Sequence, residues 1–193
     1  MKKTCAAVLL FIVAAVSGPA VELSLALKAG AFFPSQDAFR NVYGNGYPLG
    51  GDVRLGFGGL YGFSAGHESL GIKGAAVPLD GGEDILPLRF ESRSLRFAVS
   101  LLISSARPVL TASAGAVRCS FRESWATLPE LDYRDAVWGP FAMFAVEMPL
   151  AARIGVLAEI RYESLDSGAG SAVERDVNLG GFYVSAGLVF RVF

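Results

Sequence analysis

From Val21 onward the chain alternates apolar and polar residues with a period of two. In VELSLALKAGAFF (Val21 to Phe33), Val21, Leu23, Leu25, Leu27, Ala29, Ala31 and Phe33 share one face, and Glu22, Ser24, Ala26, Lys28 and Gly30 share the other. Period two over this length predicts a β-strand. At ~3.3 Å per residue such a strand crosses a bilayer when tilted. The pattern recurs in LGGDVRLGF (Leu49 to Phe57), LYGFSAGHES (Leu60 to Ser69) and LRFAVSLLI (Leu95 to Ile103). It returns in VLTASAGAVRCSF (Val109 to Phe121), AVWGPFAMFAVEM (Ala136 to Met148), RIGVLAEIRYES (Arg153 to Ser164) and NLGGFYVSAGLVFRVF (Asn178 to Phe193).

Three places strain this pattern. Arg89, Glu91 and Arg93 share the parity of the apolar set that follows them, so either a bulge shifts the register or that part rises above the membrane. The fifth strand holds too many small residues for its faces to be assigned. Pro140 predicts a local irregularity in the sixth, because proline cannot donate to a ladder.

The strands number eight, and their connections alternate between long and short. Residues 34–48, 70–84, 122–134 and 165–177 read as long loops, whereas Gly58-Gly59, SSARP and PLAA are tight. Even strand number, one end of short turns and one of long loops together predict an all-β fold. The expected architecture is an eight-stranded antiparallel transmembrane β-barrel, an up-and-down meander. The last strand ends on a bare Phe193 and is expected to close the ring against the first, since an unpaired edge in lipid is costly.

The N-terminus reads differently. Lys2 and Lys3 precede AAVLLFIVAAVS (Ala6 to Ser17) and then small residues to Ala20, the plan of a secretory signal peptide. Residues 1–20 are therefore expected to be removed, with cleavage after Ala20 or after Ser17, leaving 21–193 as one barrel domain. Without Lys2 and Lys3 the 17 bases become 15 against 18 acids, a net charge of about −3. No basic run suggests nucleic acid. Cys119 alone remains, so no internal disulfide is available, and it reads as a small residue on a strand.

Alternation does not say which face is outside. A soluble lipocalin-like carrier would bury its apolar face, and a membrane barrel turns that face to lipid. The polar face carries Glu22, Lys28, Asp52, Arg54, Glu68, Arg96, Glu147, Glu159 and Arg161, both signs mixed, while lysine is nearly absent from the mature chain. These nine residues are expected to form a polar network inside the lumen, where charges must pair. Eight strands leave only enough room for side chains to fill.

With this plan in place, the chain resembles the small bacterial outer-membrane β-barrel superfamily, the group of the OmpA transmembrane domain, OmpX and OmpW. LKAGAFFPS with a later YGNG, and VNLGGFYVSAGLVFRVF, carry the resemblance. It implies residence in outer-membrane lipid of a Gram-negative-type bacterium, a monomer, and the barrel assembly machinery as transient partner, with Phe193 as the assembly signal. In the family, apolar residues sit two and four positions before the last; here Val189 fits and Arg191 does not. The resemblance implies no single activity, since members serve as anchors, adhesins and narrow channels.

The chemistry-bearing residues are few. His67 is the single histidine, and on a strand it and Glu68 point to opposite faces, which argues against a base–orienter pair and against an enzyme. Asp166, Glu174 and Asp176 show no metal-ligand spacing, and the GNG and GG segments precede no helix as a phosphate loop must. No metal, cofactor or catalytic residue is expected. Phe39, Tyr43, Tyr47, Trp125 and Tyr133 read as interfacial girdle residues or as contacts for a surface partner of the external loops. The function expected is structural or surface-interacting; a narrow channel for small or apolar solutes, OmpW-like, is the alternative, and the soluble carrier a third.

Overall fold

The computed structural model describes residues 21–76, 86–104, 107–167 and 177–192. Eight strands close a barrel: β1 (Val21–Pro34), β2 (Leu49–Phe57), β3 (Tyr61–Ala76), β4 (Leu86–Ser104), β5 (Val109–Trp125), β6 (Tyr133–Pro149), β7 (Ile154–Glu163) and β10 (Gly181–Arg191). Barrel strands consecutive along the chain are antiparallel neighbours, and β10 closes on β1 with Ser24 opposite Arg191 and Pro34 opposite Gly181. Between β1 and β2 lies helix α1 (Asp37–Tyr43); between β7 and β10 a small hairpin pairs β8 (Asp166–Ser167) with β9 (Val177–Asn178). Residues 1–20, where a signal peptide is expected, and Phe193 lie outside the described residues.

The period of two becomes two surfaces. Leu25, Leu27, Val53, Phe63, Phe97, Val99, Phe144, Ile160, Val184 and Leu188 stand exposed on the outer wall, while Lys28, Asp52, Glu68, Arg96, Glu159 and Arg161 are buried inside. Large aliphatic and aromatic side chains turned outward on every barrel strand but β5, whose outward residues are mostly small or basic, are the signature of a wall made for hydrocarbon rather than water. Gly58 and Gly59 supply the positive φ values, 60° and 67°, that turn β2 tightly into β3.

Two boundaries differ from the sequence expectation. β3 continues past Ser69 to Ala76, and β4 begins at Leu86, so much of the second long loop is ladder. The glycine-spaced LGIKGAA lacks a strong strand signature, yet Leu70 and Ile72 point inward onto the same core as Leu88 and Phe90, and that burial decides. The register of β4 against β5 runs unbroken from Leu88 opposite Trp125 to Leu102 opposite Thr111, with a shift only between Leu102 and Ser104. No bulge lies at Arg89, Glu91 and Arg93; they point outward from a stretch of β4 that stands above the apolar belt. In β5, Ser113, Val117, Cys119 and Phe121 are buried, so the odd positions face inward.

At Pro140 the ladder with β5 is unbroken, Ala116 pairing with it, but pairing with β7 stops one residue later, at Phe141 opposite Glu163. The proline occupies the place where a partner strand ends and a missing N–H does least harm. Next to it, a Cβ on Gly139 would lie 1.8 Å from the Ser164 carbonyl oxygen, so only glycine lets the chain leaving β7 pass this close.

Strand lengths make the rim uneven. β3, β4, β5 and β6 hold 16, 19, 17 and 17 residues, against 9, 10 and 11 in β2, β7 and β10. Above Ser69, β3 has no partner on the β2 side; α1 packs against it there and covers the edge.

Candidate functional site

A layer of charge crosses the lumen at mid-height. Lys28 Nζ on β1 lies 2.6 Å from Asp52 Oδ2 and 2.8 Å from both carboxylate oxygens of Glu159. Arg96 on β4 donates to Glu68 Oε2 at 2.9 Å and to Asp52 Oδ1 at 3.2 Å. From β7, Arg161 donates to Glu68 Oε1 at 2.8 Å and Glu159 Oε1 at 3.1 Å, and its Nε lies 2.7 Å from Glu163 Oε1 as an ion contact without hydrogen-bond alignment. Arg54 reaches Asp52 at 3.2 Å and Glu159 at 3.7 Å.

Four bases meet four acids, from β1, β2, β3, β4 and β7. Arg161 and Glu163 are wholly buried, and the Arg161 guanidinium also lies 4.1 Å over the Tyr183 ring. Charges this deep are tolerable only when paired, and this set is balanced across the bore, Glu163 being held by its ion contact with Arg161 rather than by a hydrogen bond. Alternation on β7 places Glu159, Arg161 and Glu163 in one inward column.

Glu22 and Glu147 lie elsewhere. Both pair with Arg191 near the short-turn end, Glu22 at 3.2 Å and Glu147 in a closer contact. They line an open vestibule of about 820 Å³ together with Arg54, Ser100, Ser113 and Arg191. Two members of this chemistry escaped the sequence reading: Glu163, whose parity matches Arg161, and Arg191, which there counted only as a break in the terminal pattern. Val189, which fits the family's apolar spacing before the last residue, is fully buried in the lumen, while Phe190 and Val192 are exposed outside. The inward parity of β10 accounts for Val189 and Arg191 alike.

Above the charged layer, toward the long loops, the lumen turns apolar. Phe39 and Tyr43 of α1 are not girdle residues; they are buried in a cluster with Phe32, Leu70, Ile72, Leu88, Phe90 and Phe121. Phe32 stacks on Tyr183 at 4.6 Å, and Phe39 meets Phe90 edge-on at 4.9 Å. The helix buries these two rings because its loop folds back across the mouth. Trp125 and Tyr133 pack against the cluster from its rim, and Tyr47 is exposed.

The remaining candidates stay apart. His67 sits on the outer wall with Nδ1 3.1 Å from the Ser94 carbonyl oxygen, while Glu68 is bound to arginines inside, so the wall separates them. Cys119 is buried and free. Among the described residues no group of three His, Cys, Asp or Glu could hold a metal ion; Glu174 and Asp176 lie outside them.

A closed, up-and-down, eight-stranded barrel with an apolar exterior defines the class: this is the fold of the small outer-membrane β-barrels. No protein-family model and no curated protein sequence matches the chain. Among solved structures, it is similar to Neisserial surface protein A with a TM-score of 0.58 at 16% identity, covering 88% of this chain and 96% of that one. The attachment invasion locus protein Ail of Yersinia pestis matches with a TM-score of 0.52 at 14% identity over 89% of this chain and 99% of that one. The N-terminal β-barrel domain of Pseudomonas aeruginosa OprF gives 0.51 at 7% identity, covering 88% and 96%.

Proposed function

We propose that this chain is a non-enzymatic protein of the bacterial outer membrane whose lumen is sealed, and that it works through its embedded wall and its rim. The carrying observation is the ion-paired layer of Lys28, Asp52, Arg54, Glu68, Arg96, Glu159, Arg161 and Glu163, roofed by the Phe39–Phe90 cluster. A bore filled by locked charge and then by packed rings offers no continuous path for solute. In this reading the long-loop end faces outward and the vestibule opens to the periplasm. The signal peptide exports the chain, and the assembly machinery inserts it as a monomer with Phe193 as recognition residue.

A narrow conduit is the second reading, favoured by the vestibule, which already hollows the short-turn half of the lumen. Planar-bilayer recording of the purified protein separates the two. The sealed barrel gives no stepwise conductance above the protein-free bilayer, whereas reproducible unitary steps overturn it. Recovery from the soluble periplasmic fraction without detergent would instead favour the carrier.

A further inference from the structure

Charge on the outer wall is confined to one side. At outward positions of the described barrel strands, β1, β2, β7 and β10 carry none, whereas β3 to β6 carry Lys73, Arg89, Glu91, Arg93, Arg118, Arg122 and Arg134. The nearby acids are largely engaged: Glu91 pairs with Arg89 at 2.7 Å, Asp132 accepts from Arg122 at 2.8 Å, and Asp135 accepts from the Tyr133 hydroxyl at 3.1 Å. Among the described residues, no acid lies within ion-pair distance of Lys73, Arg93, Arg118 or Arg134.

Directly beneath this patch lies an apolar groove of about 420 Å³ on the outer wall, where Ala65 and Ala114 form a valley between Val53, Phe63, Phe97 and Val99. The ladder links the two. Ala65 is level with Phe97 and Ala116; one outward step higher runs the row His67, Leu95, Arg118, Trp138; one step above that runs Ser69, Arg93, Ser120. Trp138, 59% exposed beside Arg118, marks the interface level. Cations at headgroup height over a hydrocarbon slot have the charge and shape complement of an anionic lipid.

We propose that the β3–β5 outer wall holds a lipid of net negative charge from the surrounding leaflet, its anionic phosphate headgroup on Arg93 and Arg118 and an acyl chain in the groove under them. This rests on the bilayer reading above. Each base against an anionic headgroup enriches it about fivefold, less at high salt.

Trp138 reports occupancy, since Trp125→Phe leaves it the single tryptophan of a chain that has 2. The full barrel is placed in phosphatidylcholine vesicles containing, as minor component, either brominated-acyl phosphatidic acid or brominated-acyl phosphatidylcholine. The anionic lipid is expected to quench Trp138 more strongly, with the excess lost in Arg93→Gln/Arg118→Gln and weakened when Ala114→Phe fills the groove. If Trp125→Phe fails to fold, the difference between wild type and Trp138→Phe reads the same signal. Equal quenching by both lipids, or an excess surviving the double substitution, overturns the site. An excess untouched by Ala114→Phe overturns its acyl half. Quenching by neither lipid means that the wall does not lie in the bilayer, and the bilayer reading fails together with the site.

Discussion

Arg161 joins three acids, Glu68, Glu159 and Glu163, that are themselves almost wholly shielded from water. Replacing it with methionine keeps the bulk and removes the charge, leaving those carboxylates partly unpaired in a closed space. Removing one partner of a buried pair costs about 3–5 kcal/mol. Arg161→Met is expected to lower the urea midpoint in detergent by a corresponding amount, while Arg191→Gln, at the open vestibule, moves it far less. Equal effects would mean that the central layer is as wet as the vestibule. This layer was legible at the residue scale because charges on a strand of known parity can only point one way. Its partner Glu163 was legible by the same rule, since it shares the parity of Arg161 inside the stretch read as strand, but as the last inward residue before the loop it was left out of the network.

At the scale of elements, the parity of β4 never changes but its polarity inverts. From Leu95 to Ile103 the outward residues are apolar; from Arg89 to Arg93 they are charged, and Leu88 and Phe90 point inward. A strand leaving lipid for water must exchange its faces in this way, since outward now means solvated. Sequence reading built on one polarity rule therefore stops at the membrane surface, which is why β3 and β4 ran longer than expected. The inward packing of helix α1 was hidden for a related reason: in a segment of 7 residues, periodicity is too short to show that Phe39 and Tyr43 fold inward. Phe39→Ala is expected to cost about 3–5 kcal/mol, read as a lowered unfolding midpoint and faster proteolysis at α1. An unchanged midpoint would show that the helix does not roof the lumen.

The β5–β6 connection carries a pH dependence of its own. Asp132 accepts hydrogen bonds from Arg122 and from the Trp125 backbone N–H, and these hold its carboxyl below the usual value of 3.8. A carboxyl depressed in the folded state supports it above the unfolded pKa and releases it as pH falls through the folded one. Proteolytic cleavage between Trp125 and Tyr133, taken as the ratio of the wild-type rate to that of Asp132→Asn at the same pH, should accordingly rise toward one only below about pH 4, since the variant lacks the carboxylate throughout. A flat ratio would detach the aspartate from loop order.

On the scale of the whole molecule, strand number, meander order and apolar exterior were readable because closure in lipid permits so few solutions. Helix packing against β3 and the unequal strand heights were not, since they depend on contacts between distant segments. A closed hydrogen-bonded ring resists mild detergent, so the protein is expected to migrate at a different apparent mass before and after boiling. A single position under both treatments would contradict the ring.

The taller β3–β6 wall breaks the rotational equivalence of the barrel. Viewed down the membrane normal, the molecule has a front and a back, and its neighbours in the crowded plane meet one or the other according to their bearing. As it spins, it presents a parapet and then a low sill; anything that grips the high side stops that spin and gives the protein a compass heading within the membrane.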